Sequence, residues 1–532
     1  MGSRSLTSHI QKSKQLWDGA LASSERKPKV LVATSMGCYQ HAVVFEGVLA
    51  AALVLRGAEV DFLLCDSALP CCQMTKMANV SSSDLLKTDS TPRCEACQAK
   101  GKAEYGGLGL PIRYLGENLS QDEREEVERL STQTLMQDIP HLEFDGIAVG
   151  EHAQAGALRF FGRGDLETEP LAEPILRRYL KAAFLCLFAT RNILRKHQYD
   201  IAVFHHGIYV PQGIIGEVCR REGVRVVNWN PSYRKQTFVF SHGDTYHHTM
   251  VTDPVSIWDD FDLTPERDKR ILHYLKSRWY GDDDWIWFHE SPEYDLETIA
   301  SETGIDFSKP VIGALTSVMW DAQLHYKSNA FDNQIDWMRK TIELFSELPD
   351  LQLVIRVHPA EVNGMVPSRQ KMADVIESLF PDLASNIHVI PPESQVSTYA
   401  VMQACDSVII YNTKMGIELS SMGIPVIVAG EAWIRNKGFS RDASSPEEYQ
   451  AIIGTLPVRE RLSDELLLRA KRYAYYFFFR RMISIPFVVA TKNFKFGLNL
   501  QKLHDLLPGG YEGLDVICDG ILYGKPFVQE ME

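Results

Sequence analysis

Short β-branched runs alternate with helical stretches along most of this chain, and that alternation limits its fold more than any other feature. "KPKVLVATSM" (27–36) reads as a strand opening into a loop, "HAVVFEGVLAAALVLRG" (41–57) as a helix stopped by Gly57, and "AEVDFLLCD" (58–66) as a second strand. The grammar returns in "YDIAVFHHG" (199–207), a helix over 212–222 and "VRVVNWN" (224–230). A new cycle starts near 309: "KPVIGALTSVMW", the helix "NQIDWMRKTIELFSEL", then the strands "LQLVIRVHP", "NIHVIPPE", "CDSVIIYNT" and "IPVIVAG", with "GIELSSMG" as a short helix between the last two. Strands separated by helices pair in parallel through crossovers. The expected class is α/β, with two Rossmann-like, doubly wound parallel-sheet domains facing a central cleft.

At 532 residues the chain is too long for one hydrophobic core. The expected divisions are an N-terminal helix or arm over 1–26 and a first domain over 27–254, which carries a Cys-rich insertion at about 65–112. An inter-domain region rich in Asp, Trp and Pro follows over 255–308, then a second domain over 309–475 and a helical, then irregular, tail over 476–532. The net charge of −14 argues against non-specific nucleic-acid binding, which needs a basic field. No apolar run is long enough to span a bilayer. In the nearest approach, "YAYYFFFRRMISIPFVVA" (473–490), Arg480 and Arg481 interrupt the middle, so a buried or interfacial helix is expected and peripheral membrane contact stays open. The start lacks the apolar core of a secretory signal, and Met1-Gly2 reads as a myristoylation start or a chance glycine. The expected location is cytoplasmic, with reduced cysteines. Nothing in the sequence sets the oligomeric state.

In open parallel sheets, ligands bind outside the carboxyl ends of the strands. Here those ends are unusually polar. "RVHPAE" delivers Arg356, His358 and Glu361 where a buried strand would simply stop; the plainer alternative is a loop histidine with proline as a strand stop. "YNTKMGIE" places Asn412, Thr413 and Lys414 where a helix begins, Gly416 for close backbone approach and Glu418 one turn in. "ALTSVMWDAQLHYKSN" (314–329) offers the hydroxyls of Thr316 and Ser317, with Trp320 and Asp321 either facing a ligand or belonging to core and surface. "GEAWIRNKGF" (430–439) adds Arg435. "GDDDW" (281–285) reads as a solvated acidic loop.

These motifs carry a resemblance. A strand ending in His-Pro, a strand ending in a polar hydroxyl pair, then Gly-x-Glu and Gly-x-Pro-Val, is similar to capsule polysaccharide biosynthesis proteins and to bacterial Kdo- and sialyl-transferases of the glycosyltransferase-B (GT-B) fold. The likeness covers roughly 309–440; this chain has Asn412-Thr413 where those families often carry Ser-Ser or Ser-Thr. The resemblance implies a nucleotide-sugar donor as cosubstrate and a glycan or other acceptor. It also implies that His358 and Thr413 hold the donor phosphate and that Glu418 holds ribose.

In the first domain, His205 or His206 could act as general base toward an acceptor hydroxyl, or both could be satisfied structural histidines. Glu46, on the helix after the first strand, is a further catalytic candidate, with His41 beside it. No P-loop and no G-x-G-x-x-G appears, which counts against an NTPase or a dehydrogenase. Cys65, Cys71 or Cys72, Cys94 and Cys97 have the spacing of a structural zinc site, with free thiols or a redox pair as alternatives. Three whole-protein readings remain: a glycosyltransferase, a nucleotide-sugar epimerase or hydrolase, and a non-catalytic carbohydrate-binding protein of the same fold.

Overall fold

The structure is a computed structural model describing residues 5–22, 28–280, 284–285, 292–321, 328–491 and 495–530. The Met1-Gly2 start, the acidic residues 281–283 and the loop residues 322–327 lie outside the described residues. The chain forms two units: Met1–Phe160, Glu167–Tyr246 and Phe479–Glu532 make one, and Phe161–Leu166 with His247–Phe478 make the other.

The first unit is built on β1 (Lys29–Ser35), β2 (Glu59–Leu64), β3 (Ile112–Tyr114), β4 (Ile201–His205), β5 (Arg225–Pro231) and β6 (Thr237–His242). The order β3-β2-β1-β4-β5 is parallel throughout, and β6 adds antiparallel to β5. The order reverses between β1 and β4, the topological switch point. Beside β1 runs the helix Gln40–Val54, buried along nearly its whole length. It has no polar face, so it needs cover on every side.

The second unit contains β7 (Val311–Leu315), β8 (Gln352–Arg356), β9 (Ile387–Ile390), β10 (Ser407–Ile410), β11 (Val426–Val428) and β12 (Arg441–Asp442). All are parallel, in the order β12-β11-β10-β7-β8-β9, so its switch point lies between β7 and β10. Trp337, Ile342 and Phe345 of the helix Gln334–Ser346 pack into its core with Ile312, Leu353 and Ile409. The stretch 255–308 belongs to this unit and holds the helix Pro265–Ser277, capped by Thr264, and the helix Leu296–Thr303, capped by Asp295.

The segment 473–490 is not one helix. Its helix, Asp464–Tyr475, passes into a π-turn over Tyr476–Arg481, and the chain then forms β13 (Ile483–Ser484), antiparallel to β6. The arginine pair explains the break: Arg480 Nε donates to the Gln529 carbonyl and Arg481 to the Phe527 carbonyl, both within the first unit. β14 (Val488–Thr491) and β15 (Lys495–Leu498) then pair as a hairpin. The helix Glu512–Tyr523 and β15 pack on the helix Gln40–Val54, so the tail supplies cover for that apolar helix. Among the described residues, no helix is long and apolar enough to cross a membrane.

Candidate functional site

At the switch point of the second sheet three strand ends are joined by side chains. Thr316, just past β7, accepts the backbone N–H of His358 on its Oγ1 at 3.0 Å. Ser317 turns the other way: its Oγ donates to Asn412 Oδ1, past β10, at 2.5 Å, and its N–H donates to Gln334 Oε1 at 3.0 Å. His358 Nδ1 accepts the N–H of Ala360 at 3.1 Å, which puts the proton of the neutral ring on Nε2. Thr413 Oγ1 accepts the N–H of Met415 at 3.4 Å. Ser317, His358, Asn412, Thr413 and Lys414 all keep part of their surface exposed. These bonds tie Thr316, Ser317, His358 and Asn412 together on one sheet edge.

Other residues of the expected donor set are turned inward. Arg356 is buried, with its guanidinium bonded to the carbonyls of Pro391 and Ser394 and to Thr398 Oγ1; burial lowers its pKa to about 10. Glu361 is buried against the N–H of Met372, and desolvation pushes its carboxyl up to about 8. Trp320 donates its indole N–H to Ser368 Oγ at 3.0 Å from a buried position, while Asp321 is exposed. Arg435 is buried and braces its own loop through the carbonyls of Gly430 and Ala443 and the Ser444 hydroxyl. At Gly416 a Cβ would lie 2.6 Å from Ile410 Cδ1 and 2.7 Å from Ile434 Cδ1, so this glycine serves packing.

Glu418 is fully buried and anchors a charged network. Its carboxylate takes Arg278 Nε at 3.0 Å, Lys414 Nζ at 3.1 Å and the Tyr399 hydroxyl at 2.7 Å. Burial alone would raise its pKa; Arg278 and Lys414 instead pull it down to about 2. Arg278 also pairs with Asp284 and donates to Tyr274, and the Tyr399 ring stacks on Trp279. The network leaves Lys414 held one turn from its anchor, at the strand edge. Sequence reading missed Arg278 and Tyr399, whose partner lies far along the chain and leaves no local signature.

The first unit has a corresponding edge. Thr34, near the end of β1, accepts the N–H of His205 at 2.8 Å across the switch point, and the next residues carry left-handed backbone: Ser35 at φ 60° and His206 at φ 69°. Non-glycine residues held there mark an over-determined local structure. His205 is buried, its ring 4.8 Å from Tyr39 and 5.0 Å from Trp229. Desolvation, helped by the Arg159 charge, lowers the His206 pKa to about 3, and burial lowers that of His41 to about 4. Both imidazoles are therefore neutral and weakly basic at pH 7 as they stand. Glu46 is fully buried and takes donors from Thr34, from Trp229 Nε1 at 3.0 Å and from Tyr105 at 3.1 Å. Desolvation nevertheless raises its pKa to about 7. Its contacts brace β1, β5 and the helix Cys94–Gly106 around one carboxyl.

The expected zinc site is corrected. All ten cysteines are free, and among the described residues no group of three or more His, Cys, Asp or Glu side chains could hold a metal ion. Cys97 Sγ instead accepts the N–H of Cys38 at 3.1 Å, and Cys94 Sγ contacts Thr91 Oγ1. Burial pushes the Cys65 thiol up to about 11 and the Cys97 thiol to about 12, and raises Cys71 and Cys72 as well. The insertion is held by other means. Arg178 donates to the carbonyls of Pro70 and Thr88, Cys72 N–H bonds Thr75, and Gly37 packs so tightly on Gly101 that a Cβ there would lie 2.5 Å from its nitrogen.

Residues 309–468 match the family model described as capsule polysaccharide biosynthesis protein, and in this region the chain resembles capsule polysaccharide biosynthesis glycosyltransferases. No curated protein matches by sequence. Among solved structures, the KpsC β-Kdo 2,4-transferase of Thermosulfurimonas dismutans aligns at 13% identity over 52% of this chain and 80% of its own, with a TM-score of 0.34. The UDP-GlcNAc 2-epimerase of Neisseria meningitidis aligns at 12% identity over 84% and 98%, with a TM-score of 0.25. The spinosyn rhamnosyltransferase SpnG aligns at 11% identity over 84% and 96%, also with a TM-score of 0.25. No residue-level correspondence follows from scores this low.

Proposed function

We propose that the chain is a nucleotide-sugar-dependent glycosyltransferase of GT-B type, moving a sugar to a glycan or other surface or secondary-metabolite acceptor in the cytoplasm. One observation carries this reading: Ser317, His358, Asn412 and Thr413 meet at the switch point of the second sheet, inside the stretch that matches the capsule family. In this reading the donor phosphate takes the Nε2–H of His358, the hydroxyls of Ser317 and Thr413, and the Lys414 ammonium. Transfer breaks the bond between the anomeric carbon and the phosphate oxygen and forms one to the acceptor oxygen. The negative charge gathers on the leaving phosphate, where these donors and Lys414 stabilise it without further reorganisation.

Glu418 does not face the ligand in this proposal; it fixes Lys414. The acceptor proton is assigned to His205 or His206; for His206 this requires that substrate binding raise its lowered basicity toward neutrality. Structural zinc has no part in it.

The test is turnover. The protein is incubated with a panel of nucleotide sugars, with and without acceptor glycans, and nucleotide release is followed. Acceptor-dependent release supports the transferase. Release without acceptor identifies a hydrolase, an epimerised sugar identifies an epimerase, and no turnover of any donor favours a binding protein.

A further inference from the structure

The loop after β1 carries Cys38, and the helix Cys94–Gly106 of the insertion carries Cys97 in its first turn. The two residues meet. Cys97 Sγ accepts the backbone N–H of Cys38 at 3.1 Å, and the two thiols hydrogen-bond each other. Cys65, Cys72 and Cys94 lie around this pair within electrostatic reach only. Cys38 and Cys97 both keep part of their surface exposed, whereas Cys71, Cys186, Cys219, Cys405 and Cys518 are buried.

The backbones are held together at this point. A Cβ on Gly37 would lie 2.0 Å from the Cys97 carbonyl oxygen, and one on Gly101 would lie 2.9 Å from Gly37 Cα, so the loop rests directly on the helix. One N–Cα bond and one side chain separate the 3.1 Å contact from the two Cα atoms. That puts them close to the separations a disulfide spans, about 4.4–6.8 Å, so closure takes side-chain rotation and little backbone movement. Tyr39, the next residue, places its ring 4.8 Å from His205 and 5.9 Å from His41. The thiol pair therefore adjoins the switch point of the first sheet.

We infer that Cys38 and Cys97 form a modification site: a dithiol that a small disulfide of the glutathione class oxidises to a Cys38–Cys97 disulfide, tying the insertion to the switch-point loop. The Cys38 thiolate attacks one sulfur of the small disulfide, whose S–S bond breaks and releases one thiolate. Cys97 Sγ then attacks Cys38 Sγ, gives its proton to solvent and displaces the second thiolate. Two protein thiols are oxidised, and one small disulfide is reduced to two thiols. Burial sets the order: it pushes the Cys97 thiol up to about 12 and keeps it protonated, so Cys38 is the entry thiol and Cys97 the resolving one.

The test is peptide mapping with fragment-ion sequencing. The full chain is reduced, desalted and incubated with oxidised glutathione at mildly alkaline pH, and the remaining thiols are blocked with N-ethylmaleimide. The expected result is Cys38 joined to Cys97 in most chains, reopened by dithiothreitol. Cys97→Ser should instead accumulate the mixed disulfide of Cys38 with glutathione, and Cys38→Ser should lose the crosslink, both with the thermal midpoint of reduced wild type. A wild type that keeps all ten cysteines free, stops at the mixed disulfide, or links Cys97 to Cys94 or Cys65 overturns the inference. The wild-type map decides the matter even where a serine variant fails to fold.

Discussion

Ser317 and Asn412 meet where the strand order of the second sheet reverses, with the serine hydroxyl donating to the asparagine carbonyl oxygen at 2.5 Å. One residue earlier, Thr316 reaches to the opposite neighbour and accepts the N–H of His358. The end of β7 therefore fixes the ends of both adjacent strands. Crevices of this kind are where doubly wound sheets bind ligands.

Thr316→Val keeps the side chain's shape and removes the acceptor for His358. A buried backbone N–H left without a partner costs about 1–3 kcal/mol, and at this part-buried position the lower end of that range is expected. The expected outcome in chemical denaturation is a lower midpoint with an unchanged slope. A midpoint equal to wild type would show that the bond contributes nothing.

Glu418→Gln leaves Arg278 and Lys414 without their shared carboxylate. Removing one member of a buried ion pair costs about 3–5 kcal/mol. The same carboxylate sets an acid limit. Its folded pKa of about 2 lies below the unfolded value, so its contribution is present above the ordinary carboxylate range and is lost as pH falls through 2. Urea titrations at neutral pH and at low pH measure both effects; a variant as stable as wild type contradicts the network.

Glu46 acts with the opposite sign. Its folded pKa of about 7 exceeds the ordinary 4.5, so the folded state holds the proton more tightly. That contribution, on the order of 3 kcal/mol, is fully present below about pH 4.5 and is lost as pH rises through 7. His152 adds in the same direction. Burial opposes its protonation, but the Glu217 carboxylate and the Ile208 carbonyl raise its pKa, so its contribution is lost as pH rises through that raised value. Glu46→Gln should flatten the fall of stability between pH 5 and 7 that wild type shows. Identical pH profiles for the two proteins would refute the assignment.

Cys94→Ser/Cys97→Ser should keep the fold and the thermal midpoint of wild type, since Arg178 and the Gly37–Gly101 contact hold the insertion. Elemental analysis of wild type purified without added metal should show no stoichiometric zinc. About one zinc per chain, lost in the double variant, would restore the metal reading.

The two parallel sheets were legible because β-branched runs and intervening helices set strand identity locally. The switch-point residues were legible for the same reason, since parallel strands put all their carboxyl ends on one edge. What a side chain does at that edge was not. Arg356, Glu361 and Arg435 look like ligand residues in sequence, yet Arg356 and Glu361 are taken up by a carbonyl and an N–H of later segments, and Arg435 by carbonyls of its own loop. The resemblance puts Glu418 at ribose, and its pairing with Arg278, far away along the chain, leaves no local sign in the sequence. The helix Glu512–Tyr523 was hidden by Gly513 and Gly520, which weaken the helical pattern, although Phe527 packs where a Cβ on Gly520 would sit. The cysteine spacing suggests zinc, and Cys65, Cys72, Cys94 and Cys97 do come near enough to raise one another's thiol pKa, yet among the described residues they do not form a metal-holding group.

The central claim is that the donor phosphate lies on the edge formed by Ser317, His358, Asn412 and Thr413. Its most direct test is nucleotide affinity of His358→Ala against wild type, by calorimetry, with thermal midpoints measured alongside. Loss of one charge-assisted contact of about 1.5–3 kcal/mol predicts a dissociation constant raised by about ten- to a hundredfold, with the midpoint of the unliganded protein unchanged. Equal affinity of the two proteins for every nucleotide that wild type binds would contradict it.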